Sequence, residues 1–259
     1  MVKLEQLTEL VLRAGELLTD TVLSEDVAVK GDSDFVTRAD TAVQEFIRRE
    51  TALLCPEARF IAEENQINDY SGSGAAFVLD PVDGTTNLMH GFGQSAISLA
   101  YYEGREGIYG VVYNPFTGEL FRAERGCGAY LGDKRIYGKK RDKVADCLAI
   151  VEFSPYYKQT SADTFEMIRQ LFLRTHDVRA VGSAALDLVY VACGRADIFM
   201  SRKLKTWDYA AAQIILREAG CNISDFSGAQ LMLDGVADVI ACTGGVFSEL
   251  CDFAKNYIE

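Results

Sequence analysis

Four acidic places in the chain could do chemistry: Asp80 with Asp83, Glu63 with Glu64, Asp208, and Asp40. Asp80 and Asp83 flank Pro81-Val82 directly after the apolar run Ala76 to Leu79, and Gly84-Thr85-Thr86-Asn87 follows. A strand ending in Asp-x-x-Asp puts two carboxylates at its mouth. The glycine lets the backbone turn into a short helix whose N–H groups and threonine hydroxyls face the same cavity, as an anion site requires. Hard oxygen donors of this kind suit Mg²⁺, which keeps several waters and uses few carboxylates beside phosphate oxygens. Two such ions roughly 3.5–4 Å apart can hold the attacking water and the leaving oxygen of an in-line displacement. Each place also has a structural reading. Asp-x-x-Asp-Gly is often an acidic turn with an Asx-type cap. Glu63-Glu64 can open a solvated loop, and Asp208 and Asp40 can cap helices.

The elements around these residues follow from apolar spacing. Leu4, Leu7, Val11, Ala14 and Leu18 predict one helix, and a second starts near Asp40 with Ala42, Val43, Phe46, Ile47 and Leu54 inward. Lys30 to Asp34 reads as a turn and Phe35-Val36 as a short extended piece. Phe60-Ile61 and Ala76 to Leu79 read as buried strands, separated by the polar loop Gln66 to Gly74. Short strands at Ser95–Tyr102, Gly107–Tyr113, Leu120–Ala123 and Ala129–Leu131 predict an antiparallel meander. The polar run Asp133 to Asp146 reads as an exposed connection and divides the chain into 1–145 and 146–259. Beyond it, Leu148 to Val151, Asp197 to Met200 and Val239 to Cys242 predict strands. Ser161–Leu173, Ser183–Cys193, Asp208–Ala219 and Val246–Tyr257 predict helices, with Gly220 as a C′ residue. This alternation argues for a layered mixed α/β fold in two interdependent halves.

Composition narrows the function classes. Acidic residues outnumber basic ones by 38 to 26, for a formal net charge of −12, with no basic stripe, so nucleic acid and acidic membrane surfaces are expected not to be partners. Seven cysteines without Cys-x-x-Cys suggest neither a disulfide framework nor a zinc ribbon. Met1-Val2-Lys3-Leu4-Glu5 does not resemble a basic, then apolar, leader, and no run approaches the roughly 18 apolar residues of a membrane span. A cytoplasmic location is the expectation. A Gly-x-Ser-x-Gly elbow, a Walker A loop and Gly-x-Gly-x-x-Gly are all missing, and His90 and His176 are the only histidines.

Taken together, the acidic motifs resemble one family. Leu79-Asp80-Pro81-Val82-Asp83-Gly84-Thr85-Thr86-Asn87-Leu88-Met89-His90-Gly91 closely resembles the first signature of the inositol monophosphatases. Trp207-Asp208-Tyr209-Ala210-Ala211-Ala212, running to Arg217-Glu218-Ala219-Gly220, resembles the second. Asp34 to Asp40, Ile61 to Asn65 and Val181 to Asp187 fall in the family's order. The resemblance implies an α-β-α-β-α sandwich of the sugar phosphatase type, usually a homodimer and commonly lithium-sensitive. It implies two or three Mg²⁺ ions held by Glu63, Asp80, Asp83, Asp208 and the Val82 carbonyl. Thr85, oriented by Asp40 and with Glu63 nearby, would position and deprotonate water. Gly84 and Thr85 would receive the phosphate, and Gly182, Ser183, Ala184, Ser201 and Asp208 would face a small phosphorylated sugar or polyol. The reaction implied is direct attack by water, without a phosphoenzyme.

Two departures bear on the substrate. Many inositol monophosphatases carry an acid seven positions before the second-signature Asp, where this chain has Ser201. The following Arg202-Lys203-Leu204-Lys205 is either an exposed basic loop or a reader of a second phosphate. The second possibility opens fructose 1,6-bisphosphate or NADP(H) as alternatives to inositol 1-phosphate. A non-catalytic binding protein on the same fold is a further alternative.

Overall fold

The computed structural model describes residues 2–20, 23, 27–31, 34–65 and 70–258. Two of the predicted segments, the turn at Asp32-Ser33 and the first part of the Gln66–Gly74 loop, lie partly outside them. Helices α1 (Leu4–Leu18) and α2 (Arg38–Leu54) pack together on one face of a seven-stranded sheet. That sheet runs β3 (Arg59–Ala62), β4 (Ala75–Asp83), β5 (Ala96–Glu103), β6 (Glu106–Asn114), β7 (Glu119–Glu124), β8 (Gly128–Leu131) and β9 (Lys134–Ile136). Only the β3–β4 pairing is parallel, and the rest is the expected meander. A small hairpin, β1 (Val27–Gly31) with β2 (Asp34–Thr37), precedes α2.

The second sheet has the order β11 (Asp177–Arg179), β10 (Leu148–Glu152), β12 (Ile198–Lys205), β14 (Val236–Cys242), β13 (Asn222–Asp225). Its first three strands are parallel and β14 is antiparallel to both neighbours. Between the two sheets lie α5 (Ala184–Ala192) and α6 (Thr206–Glu218), while α4 (Ser161–Arg174) and α7 (Phe247–Ala254) cover the outer side. A short helix, α3 (Thr85–Met89), leaves the end of β4. The layers are therefore α-β-α-β-α, and three apolar clusters fill the spaces between them.

The stretch Ala76 to Leu79 of β4 is apolar at every position because both of its faces are covered. Phe77 and Leu79 pack toward α1 and α2, while Ala76 and Val78 pack toward α6, so both faces are covered. The middle layer is thin because Ala210-Ala211-Ala212 of α6 lies against Gly110 of β6. A Cβ on Gly110 would stand 2.4 Å from the Ala211 carbonyl oxygen.

Several expectations need correcting. β4 continues past Leu79 to Asp83, with a bulge between Asp80 and Asp83 that places one extra residue opposite β5. Pro81, which has no N–H to give a ladder, sits in that irregular stretch. The run Asp133 to Asp146 is not one exposed connection, because β9 and a 3₁₀ turn at Val144–Asp146 lie within it. Arg202 to Lys205 belong to β12 rather than to a basic loop, and Arg202 is 6% exposed. Asp40 and Asp208 do not occupy the N-cap. Both stand three residues into their helices, after Thr37 and Lys205 respectively.

Candidate active site

The ends of β4, α2, α5 and α6 meet around the signature carboxylates. Asp40 closes a capping box: its Oδ2 accepts from the Thr37 N–H at 2.8 Å and from the Thr37 hydroxyl. Its other oxygen, Oδ1, lies 3.2 Å from the Thr85 hydroxyl, which is also 3.1 Å from the Val82 carbonyl oxygen. A hydroxyl has one proton, so Thr85 donates to one of these acceptors at a time and keeps lone pairs to accept with. Asp80 is 2% exposed and its Oδ1 accepts the Val82 N–H at 3.0 Å. Asp208 closes a second box, its Oδ2 accepting the Lys205 N–H at 2.7 Å.

Asp83 is held differently. It receives the Ser183 hydroxyl, the Ala184 N–H at 3.2 Å and the Ala185 N–H at 2.7 Å, so it serves as the anion at the N-terminus of α5. Ser183 and Ala184, expected to line the alcohol's site, spend these donors on Asp83. Gly182 stands beside them at φ +84°, and the Asn87 side-chain amide donates to the carbonyls of Gln94, Val181 and Gly182. Gly84 turns the chain from β4 into α3 at φ +91°. A Cβ there would come within 2.9 Å of the Gln94 carbonyl and 3.0 Å of the Gly182 carbonyl, so the position requires glycine. The first N–H groups of α3 have no carbonyl of their own helix to bond.

The electrostatics of the cluster are one-sided. Burial raises Asp80 well above the usual carboxylate range, and the charges of Glu63, Asp83, Asp208 and Asp40 raise it further. Burial pushes Asp83 up to about 6, even against its three hydrogen bonds. Asp208 is pushed up to about 8 by burial and by Asp83, partly offset by the Lys205 N–H and ammonium. Asp40 is raised by burial and lowered by Thr37 and Thr85. Glu63, half-buried after β3, donates its N–H to the Leu79 carbonyl at 3.3 Å. Carboxylates crowded like this need a cation to ionise together. The donors are all hard oxygens, which fit Mg²⁺ and not a thiolate- or imidazole-seeking metal. Among the described residues no group of three or more Asp, Glu, His or Cys closes into a metal cage.

The sequence reading gave no role to two functional candidates, Glu152 and Asp187. Glu152 ends β10 and pairs in register with Ser201 of β12. It is pushed up to about 8 by burial and by the charges of Asp83 and Asp208. Glu152 carries the same signal as Asp80, an acid at the end of an apolar strand. Asp187 was part of a family motif but without a role. Of the basic residues, Arg202 faces Asp238 at 3.7 Å and the Lys203 ammonium lies 5.1 Å above the Tyr157 ring. Ser201 is buried on the same strand.

Residues 3–256 match the model of the inositol monophosphatase family. The Mesorhizobium japonicum protein named inositol-1-monophosphatase is 35% identical over 234 residues, 89% of this chain and 88% of its own. The Escherichia coli K12 protein named Nus factor SuhB is 36% identical over 220 residues, 83% of this chain and 82% of its own. Among solved structures, an IMPase from Thermotoga maritima superposes with TM-score 0.86 at 31% identity, covering 99% of this chain and 98% of that one. The suhB protein of Bartonella henselae gives TM-score 0.88 at 31% identity, covering 98% of each.

Proposed function

This chain belongs to the inositol monophosphatase family, and from that premise we propose that it hydrolyses the phosphate monoester of a small polyol, inositol 1-phosphate first, in the presence of Mg²⁺. The observation that carries the reading is the buried Asp80, crowded by four carboxylates and in need of a counter-charge. Glu63, Asp80, Asp83, Asp208 and the Val82 carbonyl would hold the ions. Bound there, Mg²⁺ would supply charge neutralisation at the phosphate and a lowered pKa for water.

The remaining work falls to the chain itself. Thr85 accepts a hydrogen bond from the attacking water while its own proton points to Asp40, whose burial keeps it a strong acceptor. The N–H groups that open α3 bind the phosphate oxygens, and Gly84 holds the backbone close enough for them to do so. Direct attack by water accords with the lack of a Cys-x₅-Arg loop in the sequence. Homodimer formation, lithium sensitivity and a cytoplasmic setting are part of the same proposal.

A bisphosphate or NADP(H) substrate is the weaker alternative, since Arg202 is buried against Asp238 and Lys205 acts on Asp208. The name Nus factor SuhB on several relatives adds a second reading, a partner-binding role beside hydrolysis. The test is phosphate release by purified protein from inositol 1-phosphate, fructose 1,6-bisphosphate and NADP⁺, with and without lithium and chelator. Release from inositol 1-phosphate foremost, abolished by chelation, is expected. Folded, Mg²⁺-loaded protein that releases phosphate from none of the three overturns the proposal.

A further inference from the structure

A cavity of about 250 Å³ lies between the segment that enters β4, the β5–β6 turn, α6 and the β13–β14 connection. Tyr102 on its wall pairs with Ala76 near the start of β4, whereas Asp80 pairs with Ser98, four residues and about 13 Å along the strands. Along α6, Arg217 on the wall stands nine residues beyond Asp208, about 14 Å along the helix axis. The cavity is therefore separate from the phosphatase centre.

Two arginines reach it, Arg105 from the β5–β6 turn and Arg217 from the last turn of α6. Among the described residues they are the two arginines with no ion pair, hydrogen bond or ring contact. They stand so in a chain whose acids outnumber its bases by 38 to 26. Asp234 is the one acidic residue on the wall, and its charge acts on Tyr209. Gly72, at φ +74°, leaves room for Arg105, since a Cβ there would stand 2.9 Å from the Arg105 Nε.

Tyr70, Tyr102, Leu231 and Met232 supply ring and aliphatic surface beside the guanidinium groups, and hydrogen bonds hold that surface in place. The Tyr102 hydroxyl donates to the Ala210 carbonyl at 2.9 Å and accepts from the Gln213 amide at 2.6 Å. The Tyr209 hydroxyl donates to the Met232 carbonyl at 2.6 Å, and the Tyr70 hydroxyl donates to the Gly104 carbonyl. A wall ordered in advance removes part of the entropic cost of binding. A guanidinium is a planar fork of donors that matches carboxylate and phosphate oxygens. Two of them next to apolar surface select an anionic head on an apolar body, and a neutral polyol ring offers neither.

We propose that this cavity is a second binding site, in which Arg105 and Arg217 hold a small organic oxyanion, a carboxylate or a phosphate ester carrying an apolar body. The site goes beyond the phosphatase reading and stands whether or not the chain releases phosphate.

The test is calorimetric titration of the full-length protein with four probes. These are 3-phenylpropionate, phenylphosphonate (an unhydrolysable phosphate stand-in), the neutral 3-phenylpropanol, and acetate, which lacks the apolar body. At least one aromatic anion should bind with a Kd of about 1 mM or tighter, and the tighter of the two identifies the head group. The alcohol and acetate should bind at least about 10-fold more weakly. Affinity should be the same with Mg²⁺ and in metal-free buffer, because the ions of the phosphatase centre take no part. Arg105→Gln and Arg217→Gln should each weaken the aromatic anion about 5-fold or more, as for loss of a charge-assisted hydrogen bond. Both side chains are exposed, so the variants should melt and release phosphate as the wild type does. Binding of neither anion, equal binding of the alcohol, wild-type affinity in both variants, or a requirement for Mg²⁺ overturns the proposal. Should a variant melt early, the contrast between 3-phenylpropionate and 3-phenylpropanol on the wild type still decides.

Discussion

Asp80 and Asp83 are three residues apart, yet the structure gives them different obligations. Asp80 has a single backbone donor, whereas Asp83 also anchors α5 through Ser183, Ala184 and Ala185. Asp80→Asn is therefore expected to reduce phosphate release at least ~100-fold, since loss of even the outer partners of metal ligands costs about 10–100-fold. Its melting temperature without Mg²⁺ should hold or rise, because a repelling charge is gone. Asp83→Ala should lose activity and also about 1–2 kcal/mol of stability, the usual effect of removing a helix cap. Equal melting temperatures for the two variants in chelator would contradict this division of roles. The carboxylates also set a pH dependence. Asp83 and Asp208 bind protons up to about 6 and about 8 when folded, against a reference of 3.8. The folded state thus holds more protons than the unfolded chain between these values, and stability falls as pH rises through that window. Melting in chelator should occur lower at about pH 8 than at about pH 5.5, and Mg²⁺ should raise it more at the higher pH. A larger Mg²⁺ effect at the lower pH would refute the argument. The sequence made Asp80, Asp83 and Asp208 readable because each sits in a long specific motif. Glu152 and Asp187 were not, because one ends an unremarkable apolar strand and the other is paired only through the fold.

At the level of elements, the long helices and the meander were legible from apolar spacing. Leu7, Val11, Val43 and Ile47 are fully buried where the helical period puts them. The short strands β9, β11 and β13 were not, since three or four residues carry too little periodicity to read. Arg202 to Lys205 misled for another reason. Charge suggests a loop, but a buried arginine can be carried by a strand when Asp238 on the neighbouring strand answers it. The tight contact of α6 on β6 gives a sharp prediction. Gly110→Ala would place its Cβ against the Ala211 carbonyl, an overpacking expected to cost about 1–3 kcal/mol and to shift the helix that carries Asp208. Its melting temperature should fall and its Mg²⁺ requirement for activity rise together. Gly110→Ala with wild-type Mg²⁺ dependence would separate that packing from the site.

The whole molecule is a stack in which the seven-stranded sheet does not supply the cover of its own inner face. The inner face of the seven-stranded sheet, built from residues 59–136, is covered by α6, residues 206–218. A fragment ending at residue 145 is therefore expected to lack near-ultraviolet circular dichroism and to bind hydrophobic dyes, as a chain without fixed packing does. A cooperatively melting fragment would refute this mutual dependence. Layer order was readable in outline from alternating helices and strands, but the sharing of one helix layer by two sheets was not, because no residue pattern states which faces meet.

That thin middle layer has a kinetic side. Spatial order and chain order disagree: the helix at the centre of the stack is among the last to leave a ribosome working at roughly 5–20 residues per second. For several seconds, the earlier sheet waits with Val78, Ala100 and Phe121 facing nothing of their own. During synthesis, the inner face of that sheet cannot be covered before Ala210-Ala211-Ala212 has left the ribosome.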